Sequence, residues 1–453
     1  TGIGRAEGMK VCFLTLGSRG DVQPYVALGK ELVRQGHKAV ICVGESFRQL
    51  VESNGIEFVL TTSDYMALAA TPEGKAILEH PIRNLRLALR YSKEVINPAY
   101  RKTLEEFYAA AKDADVIVYH PKALGAVDIA LHLGIPCVSM PPVPITYPVS
   151  EFANLAVTTK NLGRWLNKAT YRVNEMAERS QINLINDFRA KVLQLPKRKA
   201  GLYTYTDGTK EIPTVYPVSK MLFPEASSWD GHVFLPGFFF LDSEGETLPE
   251  KIEQFLVTGK PPVAVTFSSM PLGQPVRFVE KLRAALESTG NRAVILTGNS
   301  GIVCEDDDLI CTVKAVPHSA LFPRVKGVIH HGGVGTIAAV LRSGKPQMIV
   351  PFSVDQPFWA RRLYRLGYSL RPMREKAITT AGLAKAFIEM DYPEVLKRAE
   401  KIAAIINSEN ATVDTVRYLV KVVSLLENNS RKVCYKRLSL PFVSSREDGI
   451  GSD

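Results

Sequence analysis

The 453-residue sequence has no C-x-x-C pair; its six cysteines, Cys12, Cys42, Cys137, Cys304, Cys311 and Cys434, stand far apart. That spacing argues against a zinc site or a dithiol redox motif. Their setting in apolar runs such as VCFL and IPCVSM marks reduced core residues, as expected of a cytoplasmic protein. No apolar run approaches the roughly 18 residues that cross a bilayer, and the amino terminus lacks a signal-type apolar segment, so the chain reads as soluble. The G-x-G-x-x-G fingerprint is broken after the first predicted strand, which disfavours a nicotinamide dehydrogenase. Nucleic-acid motifs are also missing: the 56 Lys and Arg outnumber 46 Asp and Glu by ten, but they are mostly dispersed, so nucleic acid is not an expected partner.

What remains is ordinary globular composition, 46% hydrophobic and 23% charged, in a chain long enough for two or three domains. Two basic stretches stand out. In IRNLRLALRYSK (82–93), Arg83, Arg86, Arg90 and Lys93 recur at helical spacing with Ile82, Leu85 and Leu89 on another face. The tail holds Arg431, Lys432, Lys436 and Arg437. Each reads either as a solvated face or frayed tail, or as a peripheral contact with an anionic membrane.

Residues 1–8 precede Met9 and read as a remnant outside the fold. From Lys10 the pattern is regular: KVCFLTL has strand length, GSRGDVQP breaks it, YVALGKELVRQG has helical spacing, and HKAVICVG is the next strand. EFVLTT, DVIVYH and IPCVSM continue this α/β series, and 150–200 reads as helical. A second series runs through PPVAVTFSSM, RAVILTG, ICTVKAV, GVIHH and QMIVPF. The expected organisation is two doubly wound Rossmann-like domains, 9–235 and 251–427, joined by a linker at 236–250 and followed by a flexible basic tail at 428–453, with a ligand cleft between them.

Three motifs carry chemistry. Gly17-Ser18-Arg19-Gly20-Asp21 joins the first strand to the first helix. Asp21 reads either as a helix cap, with Pro24 in the first turn, or as a general base opening into the cleft. His330-His331-Gly332-Gly333-Val334-Gly335-Thr336 packs three glycines into four residues between a strand and a helix. Backbone N–H groups in such a turn suit phosphate oxygens, with His331 and Thr336 as further donors. In VPFSVDQPFW, Asp355 and Gln356 offer the acceptors and donor that grip vicinal hydroxyls, unless Asp355 only caps the next helix. Asp306, Asp307 and Asp308 look like a metal cluster but sit in a polar loop without partner ligands, and no catalytic metal is expected.

GSRGDVQPYVALGKEL, SSWDGHVFLPGFFFLD and VPHSALFPRVKGVIHHGGVGTIAAVLRSGKPQMIVPFSVDQPFWARRL together resemble the inverting nucleotide-sugar glycosyltransferases of the GT-B fold. The resemblance covers most of residues 9–425 and leans to the sterol 3-β-glucosyltransferases over their bacterial natural-product relatives. It implies UDP-glucose as donor substrate, no other cofactor, and an apolar alcohol as acceptor bound by the first domain. It matches His331, Gly333, Gly335 and Thr336 to the diphosphate turn, Asp355 and Gln356 to the sugar hydroxyls, Val316, Pro317 and His318 to the uracil base, and Asp21 to the catalytic base. The family's G-F-G-S run is replaced here by Thr266-Phe267-Ser268-Ser269, leaving Ser269 as a phosphate donor.

Acceptor identity is written less clearly. Tyr65, Met66, Leu68, the helix around Leu85, Tyr147 within PPVPITYPVSEF, and Trp165 are candidates for an apolar pocket, and each reads equally as core. Two other readings stand beside the sterol one: a transferase for soluble polyketides, flavonoids or peptides, with a thymidine-diphosphate sugar as a further donor, and a non-catalytic nucleotide-sugar-binding protein.

Overall fold

A computed structural model describes residues 8–429 except 63–70, 80–83, 204–205, 207–210, 230, 243–244, 246, 269 and 354. Eight strands form in the first half: β1 Lys10–Leu14, β2 Lys38–Val43, β3 Glu57–Leu60, β4 Val116–Tyr119, β5 Cys137–Ser139, β6 Ala200–Tyr203, β7 Thr214–Val215 and β8 Val233–Phe234. Seven of them pair in the order β3-β2-β1-β4-β5-β7-β8, and every pairing is parallel. The second half gives β9 Val263–Thr266, β10 Ala293–Leu296, β11 Ile310–Val313, β12 Gly327–His330 and β13 Gln347–Ile349, in the parallel order β11-β10-β9-β12-β13. Their valine- and isoleucine-rich runs are buried on both faces, as strands covered by helices must be. The chain is therefore α/β with two Rossmann-like domains.

The strand order reverses beside β1 in one sheet and beside β9 in the other, so crevices open at β1/β4 and β9/β12. The asymmetric extension of the first sheet by β7 and β8 goes beyond the sequence reading, because two-residue strands carry no periodicity. The stretch expected to be the interdomain linker packs against both halves: Phe238 and Phe239 are buried in two different core clusters.

Between the halves lies an aromatic cluster. Phe152, Phe223 and Trp229 from the first half meet Phe358 and Trp359 of the helix Gln356–Leu366, with ring centroids 5.0 Å apart for Phe152–Phe358 and 5.8 Å for Phe223–Trp359. Arg362 from the same helix stacks 4.2 Å above Phe223 and is paired with Glu225 at 2.5 Å. The final helix, Ala411–Asn429, follows the second domain in sequence but buries Val416, Leu419 and Val422 in the core of the first sheet, against the helix Arg19–Arg34.

Glu409 stands where the chain crosses back. It accepts a hydrogen bond from Ser219 Oγ at 2.5 Å, and its side chain abuts Gly237. Burial, only partly offset by Ser219, pushes its pKa up to about 7. The folded state thus prefers the protonated acid, and stability falls as pH rises from about 4.5 towards 7. Glu409→Gln is expected to stabilise the protein above pH 7 by an amount on the order of 2 kcal/mol. Thermal melts across pH should show that gain vanish below about pH 4.5.

Candidate active site

At the β1/β4 crevice the helix Arg19–Arg34 begins with Ser18 as its N-cap, which corrects the reading of Asp21 as the cap itself. Asp21 lies one turn in, and its carboxylate reaches back: Oδ2 accepts from Ser18 N at 2.8 Å and Ser18 Oγ at 3.0 Å, a capping-box arrangement. Two residues that sequence reasoning missed complete the cluster. Lys122 Nζ donates to Oδ2 at 3.0 Å, and His120 Nε2 lies 3.1 Å from Oδ1, oblique to the ring N–H. Both follow β4, which pairs with β1, so the sheet joins positions about a hundred residues apart. The signal was present in DVIVYHPK, a histidine at the carboxyl end of a strand beside the first.

The His120 tautomer follows from its partners. Nδ1 accepts the backbone N–H of Lys122 at 3.1 Å, so the proton of the neutral ring sits on Nε2, towards Asp21. Burial lowers the pKa of His120 and outweighs the neighbouring carboxylate. For Asp21, burial acts to raise the pKa, but His120 and Lys122 overcome it and hold the carboxyl well below its usual range. Asp21 is therefore ionised at neutral pH, with Oδ2 saturated by donors and Oδ1 shared with a neutral imidazole. Gly17 makes room for this: at φ +129° it occupies the left-handed side of the map, and a Cβ there would sit 2.3 Å from Asp21 Oδ2.

A cavity of about 510 Å³ opens on this cluster. Leu16, Ile96, Tyr100, Ala123, Leu124, Val127 and Ile145 supply apolar wall, and Gly17, His120 and Lys122 form part of its lining. Of the residues expected to bind an acceptor, Tyr147 and Trp165 are elsewhere: they line a separate cavity with Lys168, Arg172 and Glu175, and Trp165 is 87% exposed. Leu85 falls in the helix Leu85–Tyr91, with its side chain outside the described residues, as are Tyr65 and Met66.

At the β9/β12 crevice the glycine turn is fixed by a chain of hydrogen bonds. Gln347 Nε2 donates to Tyr368 O at 2.9 Å, which leaves its Oε1 to face His330 Nε2 at 2.8 Å; His330 Nδ1 then accepts Gly332 N–H at 3.1 Å. His330 is thus architectural, and burial pushes its pKa down to about 3. His331 points into the turn, and a Cβ on Gly333 would stand 2.5 Å from its Nε2. Burial, partly offset by the Thr266 backbone, pushes its pKa down to about 4, so it is a neutral donor at pH 7. Gly333 caps the helix Val334–Ser343, Gly335 has open space where a Cβ would project, and Thr336 is buried in the first turn. Ser268, in place of a family glycine, keeps a glycine-like φ of +55°. Ser269 lies outside the described residues.

Asp355 holds the N-cap position of the helix Gln356–Leu366, but its side chain makes no capping bond to the helix backbone; its Oδ2 accepts from Trp359 Nε1 at 2.8 Å. Gln356 Oε1 accepts from Phe352 N at 2.9 Å and Ser353 N at 3.3 Å, closing the loop after β13. Burial raises the Asp355 pKa, Trp359 opposes this, and the charge on Asp21 adds to the rise, so the two carboxylates feel each other between the domains. Val316 packs beside the β11 core, and His318 stacks on Phe322 with centroids 4.4 Å apart. Asp306 and Asp307 are taken by Lys251 and Arg283, and among the described residues no three His, Cys, Asp or Glu side chains converge as metal ligands.

The fold is similar to that of the glycosyltransferase of kitacinnamycin, with TM-score 0.68 and 20% identity over 92% of this chain and 100% of that one. It is also similar to glycosyltransferase VinC solved in complex with dTDP, with TM-score 0.60 and 18% identity over 92% of this chain and 100% of that one. Fold and facing crevices are those of the GT-B architecture. Residues 11–137 match the glycosyltransferase family 28 N-terminal domain, and 296–422 match the C-terminal domain of erythromycin biosynthesis protein CIII-like proteins. A sterol 3-beta-glucosyltransferase of Arabidopsis thaliana is 31% identical over 94% of this chain and 70% of its own length. The O-mycaminosyltylonolide 6-deoxyallosyltransferase of Streptomyces fradiae is 30% identical over 89% and 96%. The chain belongs to the glycosyltransferase family that includes these sterol and macrolide enzymes.

Gly17→Ala should displace the Asp21 carboxylate while the sheet still folds. Turnover is expected to fall about a hundredfold, with an unchanged circular dichroism spectrum.

Proposed function

We propose that the protein transfers glucose from UDP-glucose to the hydroxyl of a sterol or similar apolar alcohol, in one inverting displacement that needs no metal. The observation that carries this reading is the apolar cavity opening on the Asp21–His120–Lys122 cluster. An alcohol whose body fills that cavity presents its hydroxyl to an ionised carboxylate. Asp21 takes the proton as the oxygen attacks the anomeric carbon, while His120 and Lys122 hold the carboxylate in place.

Negative charge grows on the departing diphosphate. In this reading the glycine turn, the N-terminus of the helix Val334–Ser343, neutral His331 and Thr336 supply donors for it, and Asp355 and Gln356 hold sugar hydroxyls. The acceptor would be met in a reducing cytoplasm at a membrane surface; among the described residues no helix is long and apolar enough to cross a membrane. A second reading, transfer to a soluble polyketide from a thymidine-diphosphate sugar, is favoured by the near full-length match to the macrolide enzyme.

The test is UDP release from UDP-glucose with and without cholesterol or a plant sterol, in EDTA. Sterol-dependent release is expected, and its absence with every sterol tried contradicts the assignment. Asp21→Asn should lower kcat by about 10²- to 10⁴-fold. Lys122→Met removes a charge that keeps the carboxyl ionised, so the acid limb of the kcat/KM profile should move to higher pH. An unmoved limb would take Asp21 out of the base role.

A further inference from the structure

The cavity beside His120 is not uniformly apolar. Tyr119 and Ser139 occupy paired positions at the ends of β4 and β5, and Gln181 sits between the helices Val173–Arg179 and Ile182–Lys191; all three line the cavity. Tyr119 is 4% exposed and Ser139 1%. Tyr119 Oη, Ser139 Oγ and Gln181 Oε1 are buried without a hydrogen bond of normal geometry, the two hydroxyls lying close to each other. Buried polar atoms without full partners are costly, so a fold that keeps such a group against one cavity is built for a polar occupant.

The charged groups nearby do not serve that purpose. Arg198 joins Glu178 at 2.7 Å and Asp128 at 2.9 Å, and Arg189 also pairs with Asp128. Two acids and two bases cancel, leaving no net charge for a carboxylate or an amine. Two hydroxyls, each able to donate or accept, and the accepting Oε1 of Gln181 suit a neutral oxygen.

We propose that the acceptor carries a second, uncharged oxygen, a ketone or hydroxyl, which accepts a hydrogen bond from Tyr119 or Ser139 and, when it is a hydroxyl, donates to Gln181 Oε1, while its reacting hydroxyl faces Asp21. This rests on the reading of the cavity as the acceptor site. It narrows the substrate class from alcohols with a hydrocarbon tail to oxygenated polycyclic alcohols.

Calorimetric titration with epiandrosterone, a 3β-hydroxysteroid with a D-ring ketone, and with the same steroid lacking that ketone tests it directly. Wild type should bind the ketone at least about tenfold more tightly. Tyr119→Phe and Ser139→Ala, each checked for integrity by UDP binding in the second domain, should each cut that preference to about threefold or less. Equal affinities in wild type, or an undiminished preference in both variants, overturn the proposal. UDP-release assays with both steroids separate this from the broader reading. Turnover of both with equal affinity sinks only the second oxygen, whereas a ketone preference without turnover supports the pocket chemistry and contradicts the transferase assignment for steroids. Binding of neither steroid overturns both.

Discussion

The helix Gln356–Leu366 ties the two halves of the molecule to each other and to the chemistry. It begins at the Asp355-Gln356 pair of the second crevice, and its first turn drives Phe358 and Trp359 into the aromatic cluster shared with the first domain. Trp359 does both jobs, since its buried ring packs between the domains while its N–H fixes the Asp355 carboxylate. Side chains in such a cluster are close-packed and tolerate little displacement, so the position of Asp355 relative to the first domain follows from the packing. The return of the last helix onto the first sheet, through Glu409, adds a second tether.

Charge is distributed accordingly. On the first domain a carboxylate is kept ionised against its burial by one ammonium and one neutral imidazole. On the second, Asp355 is pushed the other way by burial and by Asp21 itself. Under the proposed roles this charge pattern biases an anionic donor away from the acceptor end and towards the glycine turn and the N-terminus of the helix Val334–Ser343. Neutral His331 fits that arrangement, because it donates without needing to be charged beforehand.

Much of this was legible in the sequence. Apolar runs of strand length alternating with helical spacing gave all ten strands of the two expected series, and the three glycines around His331 marked the turn. What escaped depended on neighbours in space. His120 and Lys122 gain meaning only when β4 pairs with β1, and no periodicity announces β7 or β8. Tyr147 and Trp165 looked like acceptor contacts because aromatic side chains suit apolar ligands, but they line a different cavity. Asp21 was ambiguous between cap and base because both uses place a carboxylate at the start of a helix. The structure makes it part of the capping box and still leaves it ionised at the mouth of the apolar cavity.

The proposed base on one domain and the proposed diphosphate site on the other imply a single displacement at the anomeric carbon. Proton NMR of the glycoside formed from UDP-glucose, whose sugar is α-linked, tests that geometry without reference to any mutant. The account predicts a β-glycoside, recognised by the large coupling between the anomeric proton and its neighbour. An α-glycoside would require retention, and would contradict the roles given to Asp21 and to the glycine turn.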